Sequence, residues 1–331
     1  MNAATVELEG MMLQRLLVVL LILLGGCAAI LYYNMGPTIA CSLRSTDEFH
    51  PGLTLHSLNS GAVTRCYWLT LPAAPSAEEP MALIFSLHGF ASNPRGQRRY
   101  SQWDEIASSH NAAVVYPQGS GFPLRWNSFA GTSPDAPDDV AFFRDMLAEL
   151  RDALPIGPDQ VYVTGFSNGA AMTLRLMCEA GELITAAGTV AAPVTSSIMR
   201  CELKNPVPLI AFHGSADPVL AIDGWDLQTD TSHTTSLPIR QGKLLGFEAW
   251  TKAWARKSGC DVDPTIIMNT AQVRTLRYAG CPDHLQLQVY TVIGSGHTWP
   301  GGKPIPFVGR TSKAISASEA MWAFFQDVGD R

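Results

Sequence analysis

Residues 81–87 read MALIFSL, with a single polar side chain. Three comparable runs follow: NAAVVYP (111–117), VYVTG (161–165) and PVPLIAFHG (206–214). A strand with one face in water alternates apolar and polar residues, whereas an unbroken apolar strand must be covered on both faces. Helical spacing marks RRYSQWDEIASSH (98–110), DDVAFFRDMLAELRDAL (138–154), the segment 168–179, QGKLLGFEAWTKAWARKSG (241–259) and AISASEAMWAFFQDV (314–328). Asp138 or Asp139 stands where a helix cap belongs. GAVTRCYWLTLP (61–72) reads as the opening strand, AAGTVAAPV (186–194) holds another and LQLQVYTVI (285–293) a further one, while 35–60 is polar and turn-rich. Buried strands alternating with helices define an α/β chain with a mostly parallel central sheet and helices on both faces. With no internal repeat and no clear linker, residues 35–331 read as one domain carrying a long polar excursion at 222–240.

Residues 1–34 are a separate segment. LLVVLLILLGGCAAILYY (16–33) carries no formal charge and follows Arg15. It fits a membrane span at the short end of the range, the apolar core of a secretory signal, or, through LGGC, a lipoprotein signal with Cys27 as the lipidated residue. Each reading places the domain outside the cytoplasmic membrane. The seven cysteines agree, because removal of Cys27 leaves an even set: Cys41, Cys66, Cys178, Cys201, Cys260 and Cys281. Their scatter, with no CxxC, suits structural bridges in an oxidising compartment better than a metal site. A net charge of -6, charged residues at 16% and no long basic block exclude a general nucleic-acid surface. Oligomeric state is not encoded in these features.

GFSNG (165–169) matches the G-x-S-x-G elbow, in which a strand turns sharply into a helix and presents a serine hydroxyl. A serine hydroxyl needs a base. The order expected after such an elbow is acid, then histidine. Asp217 follows a buried strand in FHGSADPV, and His297 follows the last strand in GSGHTWPGG, both at the strand edge where open α/β sheets place their sites. The competing histidines are His213, at a strand end where packing or a turn hydrogen bond accounts for it, His233, and His284, which precedes its strand. The competing acids Asp223 and Asp226 lie in the excursion. The oxyanion donors expected are the backbone N–H of Asn168, after the nucleophile, and of Phe90, in the HGF loop after an early strand; His88 is expected to orient that loop.

LHGF, NAAVVYPQG, DDVAFFRDML, VYVTGFSNGAAMTLRLMCE, HGSADPV and GSGHTWPGG, spread over residues 60–328, resemble the secreted polyhydroxybutyrate depolymerase, feruloyl esterase and acetylxylan esterase family, LpqC-like members included. The resemblance implies an α/β-hydrolase fold and a triad of Ser167, Asp217 and His297. It also implies bridges Cys178–Cys201 and Cys260–Cys281, leaving Cys41 and Cys66, and a structural or pocket role for Trp126 and Trp299. Phe90 stands where some members have cysteine, which leaves a backbone donor unchanged. The activity implied is hydrolysis of small or polysaccharide-linked esters without a metal or organic cofactor, beside a membrane that the N-terminal segment reaches. A peptidase is the rival enzyme, although no propeller-sized extension is present to gate a peptide. A non-catalytic envelope protein would lack a triad member, and all three are present in order.

Overall fold

The computed structural model describes residues 45–76, 78–128, 136–226, 243–282 and 285–329. The N-terminal segment with Cys27 and Cys41, residues 227–242 of the excursion with His233, and His284 lie outside the described residues. Among the described residues no helix is long and apolar enough to cross a membrane.

Strands β1 (Gly52–Ser60) and β2 (Val63–Leu71) form a hairpin, followed by β3 (Met81–Leu87), β4 (Ala112–Pro117), β5 (Ile156–Phe166), β6 (Ala186–Val190) and β7 (Leu209–Gly214). A short ribbon of β8 (Gly224–Asp226) and β9 (Lys243–Leu245) stands apart, and β10 (Thr265–Asn269), β11 (Val273–Tyr278) and β12 (Leu287–Val292) complete the main sheet. Its ten strands run in the order β1-β2-β4-β3-β5-β6-β7-β12-β11-β10. From β4 to β12 the neighbours are parallel; the two strands at each end are antiparallel. Every residue of β3, β4 and β7 is buried, as their unbroken apolar character requires.

The helices are α1 (Pro94–Ser101), α2 (Trp103–Ser109), α3 (Asp139–Ala153), α4 (Asn168–Glu179), α5 (Ser196–Met199), α6 (Phe247–Lys257) and α7 (Ala317–Gly329). Two apolar layers result: α3, α4 and α6 cover one face, α2 and α7 the other. Fully burying a Leu or Phe of this kind contributes about 1.5–3 kcal/mol. Asp138 caps α3, its carboxylate accepting from Val140 N–H and Ala141 N–H at 3.0 Å each.

Three sequence readings need correction. The region 35–60, read as turns, holds β1: its inward side carries Thr54 and His56, hydrogen-bonded to each other at 2.6 Å, so a buried polar pair hides the strand pattern. The helix read over 98–110 is two helices, broken at Gln102, whose φ of 57° is left-handed. The helix read from 241 begins at Phe247, because Lys243–Leu245 pairs with the excursion's first strand.

The implied bridges Cys178–Cys201 and Cys260–Cys281 are both present, and Cys66 is also disulfide-bonded. Cys178–Cys201 ties the end of α4 to the segment after α5, across a sequence separation of 23. Replacing both cysteines by serine should lower unfolding free energy by roughly 3 kcal/mol, read by urea denaturation under non-reducing conditions.

Candidate active site

The turn from β5 into α4 leaves almost no room for side chains. A Cβ on Gly165 would lie 2.3 Å from the Gly169 carbonyl oxygen, and one on Gly169 would lie 2.4 Å from that of Leu87 and 2.5 Å from that of His88. Glycine at both positions is therefore a steric requirement. Between them Ser167 has φ 53° and ψ -119°, a conformation costly for a non-glycine residue and found where the surroundings over-determine it. Its N–H donates to the Val190 carbonyl at 2.9 Å, holding the turn against β6. The side chain is 3% exposed and does not cap α4, so the hydroxyl is left for other partners.

Asp217 follows β7 and His297 follows β12, neighbouring parallel strands that end at the same edge as β5. His297 Nδ1 and Asp217 Oδ2 are 2.7 Å apart. Asp217 Oδ1 accepts from Val219 N–H and Leu220 N–H, both at 2.8 Å. Burial acts against the carboxylate's charge, but the hydrogen bond and charge of His297, with His213 and Leu220 behind them, outweigh it, and Asp217 is held below the usual carboxylate range. Because Nδ1 is committed to the acid, Nε2 is the free face of His297. The His297 ring lies 4.9 Å from that of Phe166, the residue before the serine. No hydrogen bond joins Ser167 Oγ to His297. Of the competing acids, Asp223 is exposed and Asp226 belongs to the ribbon.

The HGF loop lies beside the serine: a Cβ on Gly89 would be 3.4 Å from Ser167 Cβ. Within that loop Ala91 N–H donates to Leu124 O and Ser92 N–H to Gly89 O, while Phe90 N–H enters no such bond. Asn168 opens α4, so its N–H has no intrahelical acceptor. Two free donors thus flank the serine, at a helix N-terminus that favours negative charge.

His88 is fully buried beneath this loop. Its Nδ1 lies 2.8 Å from the Gly89 carbonyl and its Nε2 accepts from Gly119 N–H at 2.9 Å, which demands the neutral ring with the proton on Nδ1. Burial chiefly, and Arg65 in addition, bring its pKa down to about 4 against the pull of the Gly89 carbonyl. The Asn168 side chain accepts from Trp126 N–H at 2.7 Å and donates to Ser128 Oγ at 2.8 Å. The segment after β4 is therefore tied to the elbow itself.

Sequence reasoning missed the buried ion pair that holds this segment from behind. Arg65 and Asp139 meet at 2.7 Å with side chains 5% and 0% exposed. Arg65 also donates to the Gln118 carbonyl at 3.1 Å, and Asp139 accepts from Asn127 N–H at 2.7 Å. The available signal was an arginine inside a mostly apolar strand. Of the structural or pocket role expected for Trp126 and Trp299, the structural one is seen. Trp299 is wholly buried, its indole donating to Ser318 Oγ at 3.0 Å, so it fastens the His297 loop to α7. Trp126 is 4% exposed and donates to the His88 carbonyl at 2.8 Å, which makes it a brace of the HGF loop.

No family model matches the chain. It is 30% identical over 271 residues to the "Putative esterase NocK" of Nocardia uniformis subsp. tsuyamanensis, covering 77% of each chain. It is 26% identical over 240 residues to feruloyl esterase B of Piromyces equi, covering 70% of this chain but 42% of that protein. Among solved structures, the acetyl xylan esterase from Aspergillus awamori superposes with a TM-score of 0.59 at 17% identity, over 83% of this chain and 99% of that one. That superposition shares the fold alone.

Two outcomes follow from the buried polar framework. Arg65→Met strands the Asp139 carboxylate and should cost about 3–5 kcal/mol in urea unfolding. For His88, the folded pKa of about 4 lies below the ordinary 6.5, so below pH 6.5 the unfolded chain takes up a proton that the folded chain refuses. Its contribution is intact above pH 6.5 and is lost as pH falls towards 4. His213 and His56, also lowered by burial, act in the same direction. His88→Gln should therefore reduce the slope of unfolding free energy against pH in this window by up to about 1.4 kcal/mol per pH unit, without abolishing it.

Proposed function

The chain belongs to the esterases of the α/β-hydrolase superfamily and is a carboxylic ester hydrolase, and from that premise we propose that Ser167, His297 and Asp217 carry the reaction through an acyl-enzyme. Ser167 Oγ attacks the ester carbonyl while His297 Nε2 takes its proton, and Asp217 holds the imidazole and stabilises the imidazolium. The tetrahedral oxyanion lies between the N–H groups of Phe90 and Asn168, each worth about 2.7–4 kcal/mol of transition-state stabilisation by comparison with similar donors. As the intermediate collapses, the carbon–oxygen bond to the alcohol breaks and His297 returns the proton to the departing alkoxide. Water then repeats the sequence, its proton passing to His297 and back to Ser167 Oγ as the carboxylic acid leaves.

The observation that carries this reading is the strained, glycine-flanked Ser167 beside a histidine already hydrogen-bonded to a buried carboxylate. The substrate class proposed is an ester on a polysaccharide, feruloyl or acetyl, or a short hydroxyalkanoate ester. The likeness to feruloyl esterase B supports the first of these. The loop after β4 and the excursion after β7 shape the acyl and alcohol sites, since both leave the catalytic edge of the sheet. We further propose an extracytoplasmic protein, exported or anchored through residues 16–33 and Cys27; the disulfides support that location.

Ser167→Ala should eliminate p-nitrophenyl ester turnover, and Asp217→Asn should lower kcat about 10³–10⁴-fold with the fold intact. A fluorophosphonate probe should label Ser167, located by peptide mass spectrometry, and labelling should vanish in His297→Ala. Turnover surviving in purified Ser167→Ala would sink the assignment.

A further inference from the structure

Asp217 is held from one side by a residue that the triad does not account for. His213, the next-to-last residue of β7, places Nε2 2.8 Å from the Leu220 carbonyl oxygen and 3.5 Å from Asp217 Oδ2. The carbonyl acceptor requires the proton on Nε2, which leaves Nδ1 with a bare lone pair. That atom is buried and has no hydrogen-bond partner. Leaving it so carries a desolvation cost that leucine or phenylalanine would not incur. A residue present only to fill space gives no reason for this orphaned nitrogen.

The productive group is Nε2–H. It fixes the Leu220 carbonyl, while the N–H of the same residue donates to Asp217 Oδ1. His213, the turn to Leu220 and the carboxylate form a closed ring, and the edge of the imidazole lies against the oxygen that serves His297. The opposite side of the ring packs on Phe247 of α6, with centroids 5.1 Å apart. Leu220 also packs with Trp225 and Leu244 of the ribbon, so the base of the excursion rests on the turn that holds the acid.

We propose that His213 is a positioning residue for the hydrolytic reaction: a neutral donor, locked to the 217–220 turn, that sets the plane of the Asp217 carboxylate and reserves Oδ2 for His297. The inference rests on the triad reading above. Neutrality is part of the device, because an imidazolium here would compete with His297 for the carboxylate. Burial lowers the His213 pKa, more than the charge of Asp217 and the Leu220 carbonyl raise it, and His297 adds to the lowering. Asp217 and His297 are the titratable groups acting on it.

The test uses the full chain and p-nitrophenyl acetate, comparing wild type with His213→Leu, His213→Gln and His213→Asn. His213→Leu should lower kcat about 10–100-fold with KM within threefold. It should also move the acid limb of the kcat/KM profile to lower pH, because a carboxylate released from its set plane binds the His297 imidazolium less strongly. His213→Gln, which extends an amide N–H towards the Nε2 position, should recover most of kcat and the wild-type limb. A folded His213→Leu enzyme with unchanged kcat and acid limb, whatever its Tm, would overturn the proposal. If His213→Leu does not fold, the comparison passes to Gln against Asn, whose shorter amide does not reach; equal kcat and superimposed pH profiles would overturn it as well. Failure of the triad reading is seen separately, as unlabelled Ser167 or an active Ser167→Ala in the wild-type background.

Discussion

The contact of Gly169 with the carbonyls of Leu87 and His88 is the constraint on which the site is built. It brings the start of α4 against the end of β3 at backbone distance, and only a residue without a Cβ fits. The same β3 end continues into Gly89 and Phe90, so one close approach places both the serine and a free N–H beside it. The strain at Ser167 persists because β5, β6, α4 and the HGF loop all over-determine the turn. Ala91 and Ala191, with φ of 55° and 51°, share the left-handed conformation and lie just beyond β3 and β6. Three of the five positive-φ residues other than glycine among the described residues thus lie at the sheet edge where the chemistry is proposed.

Around that edge buried polar groups add to the apolar packing. His88 joins the HGF loop to Gly119; Asn168 joins the elbow to Trp126 and Ser128; Arg65 and Asp139 grip Gln118 and Asn127. Each group loses hydration on burial, and a buried ion pair is not a source of net stability by itself. What such a network supplies is directional. Hydrogen bonds fix where N–H groups point, and donors held in advance need no reorganisation when charge develops on the substrate.

How far the sequence disclosed this depends on whether a feature leaves a local signature. The doubly buried strands did, because burial on both faces removes the alternation of polar residues. The elbow did, because steric exclusion leaves glycine on either side of the serine, and Asp217 and His297 were identified by following strand ends. Strand β1 escaped because Thr54 and His56 satisfy each other on its inward side. The Arg65–Asp139 pair escaped because a charge within a strand ordinarily faces water, and its partner lies 74 positions away. For Trp299 the sequence left a structural and a pocket role open, because nearness to His297 in the chain does not show that its ring turns towards α7. The bridges Cys178–Cys201 and Cys260–Cys281 were implied by resemblance to relatives; spacing alone does not pair cysteines.

The topology sets the proposed chemistry on the sheet and recognition on the loops, and couples the two by hydrogen bonds. The proposed nucleophile, acid and base stand on β5, β7 and β12, strands hydrogen-bonded into the middle of the sheet and unable to shift alone. The loop after β4 and the excursion after β7 leave the same edge, the first tied to the elbow through Asn168, Trp126 and Ser128. The second is tied to the acid through the turn from Asp217 to Leu220. Its N–H groups hold the carboxylate, and its apolar side chains seat the ribbon from which the excursion departs. His213 lies buried beneath that turn, with its proton directed at Leu220 O.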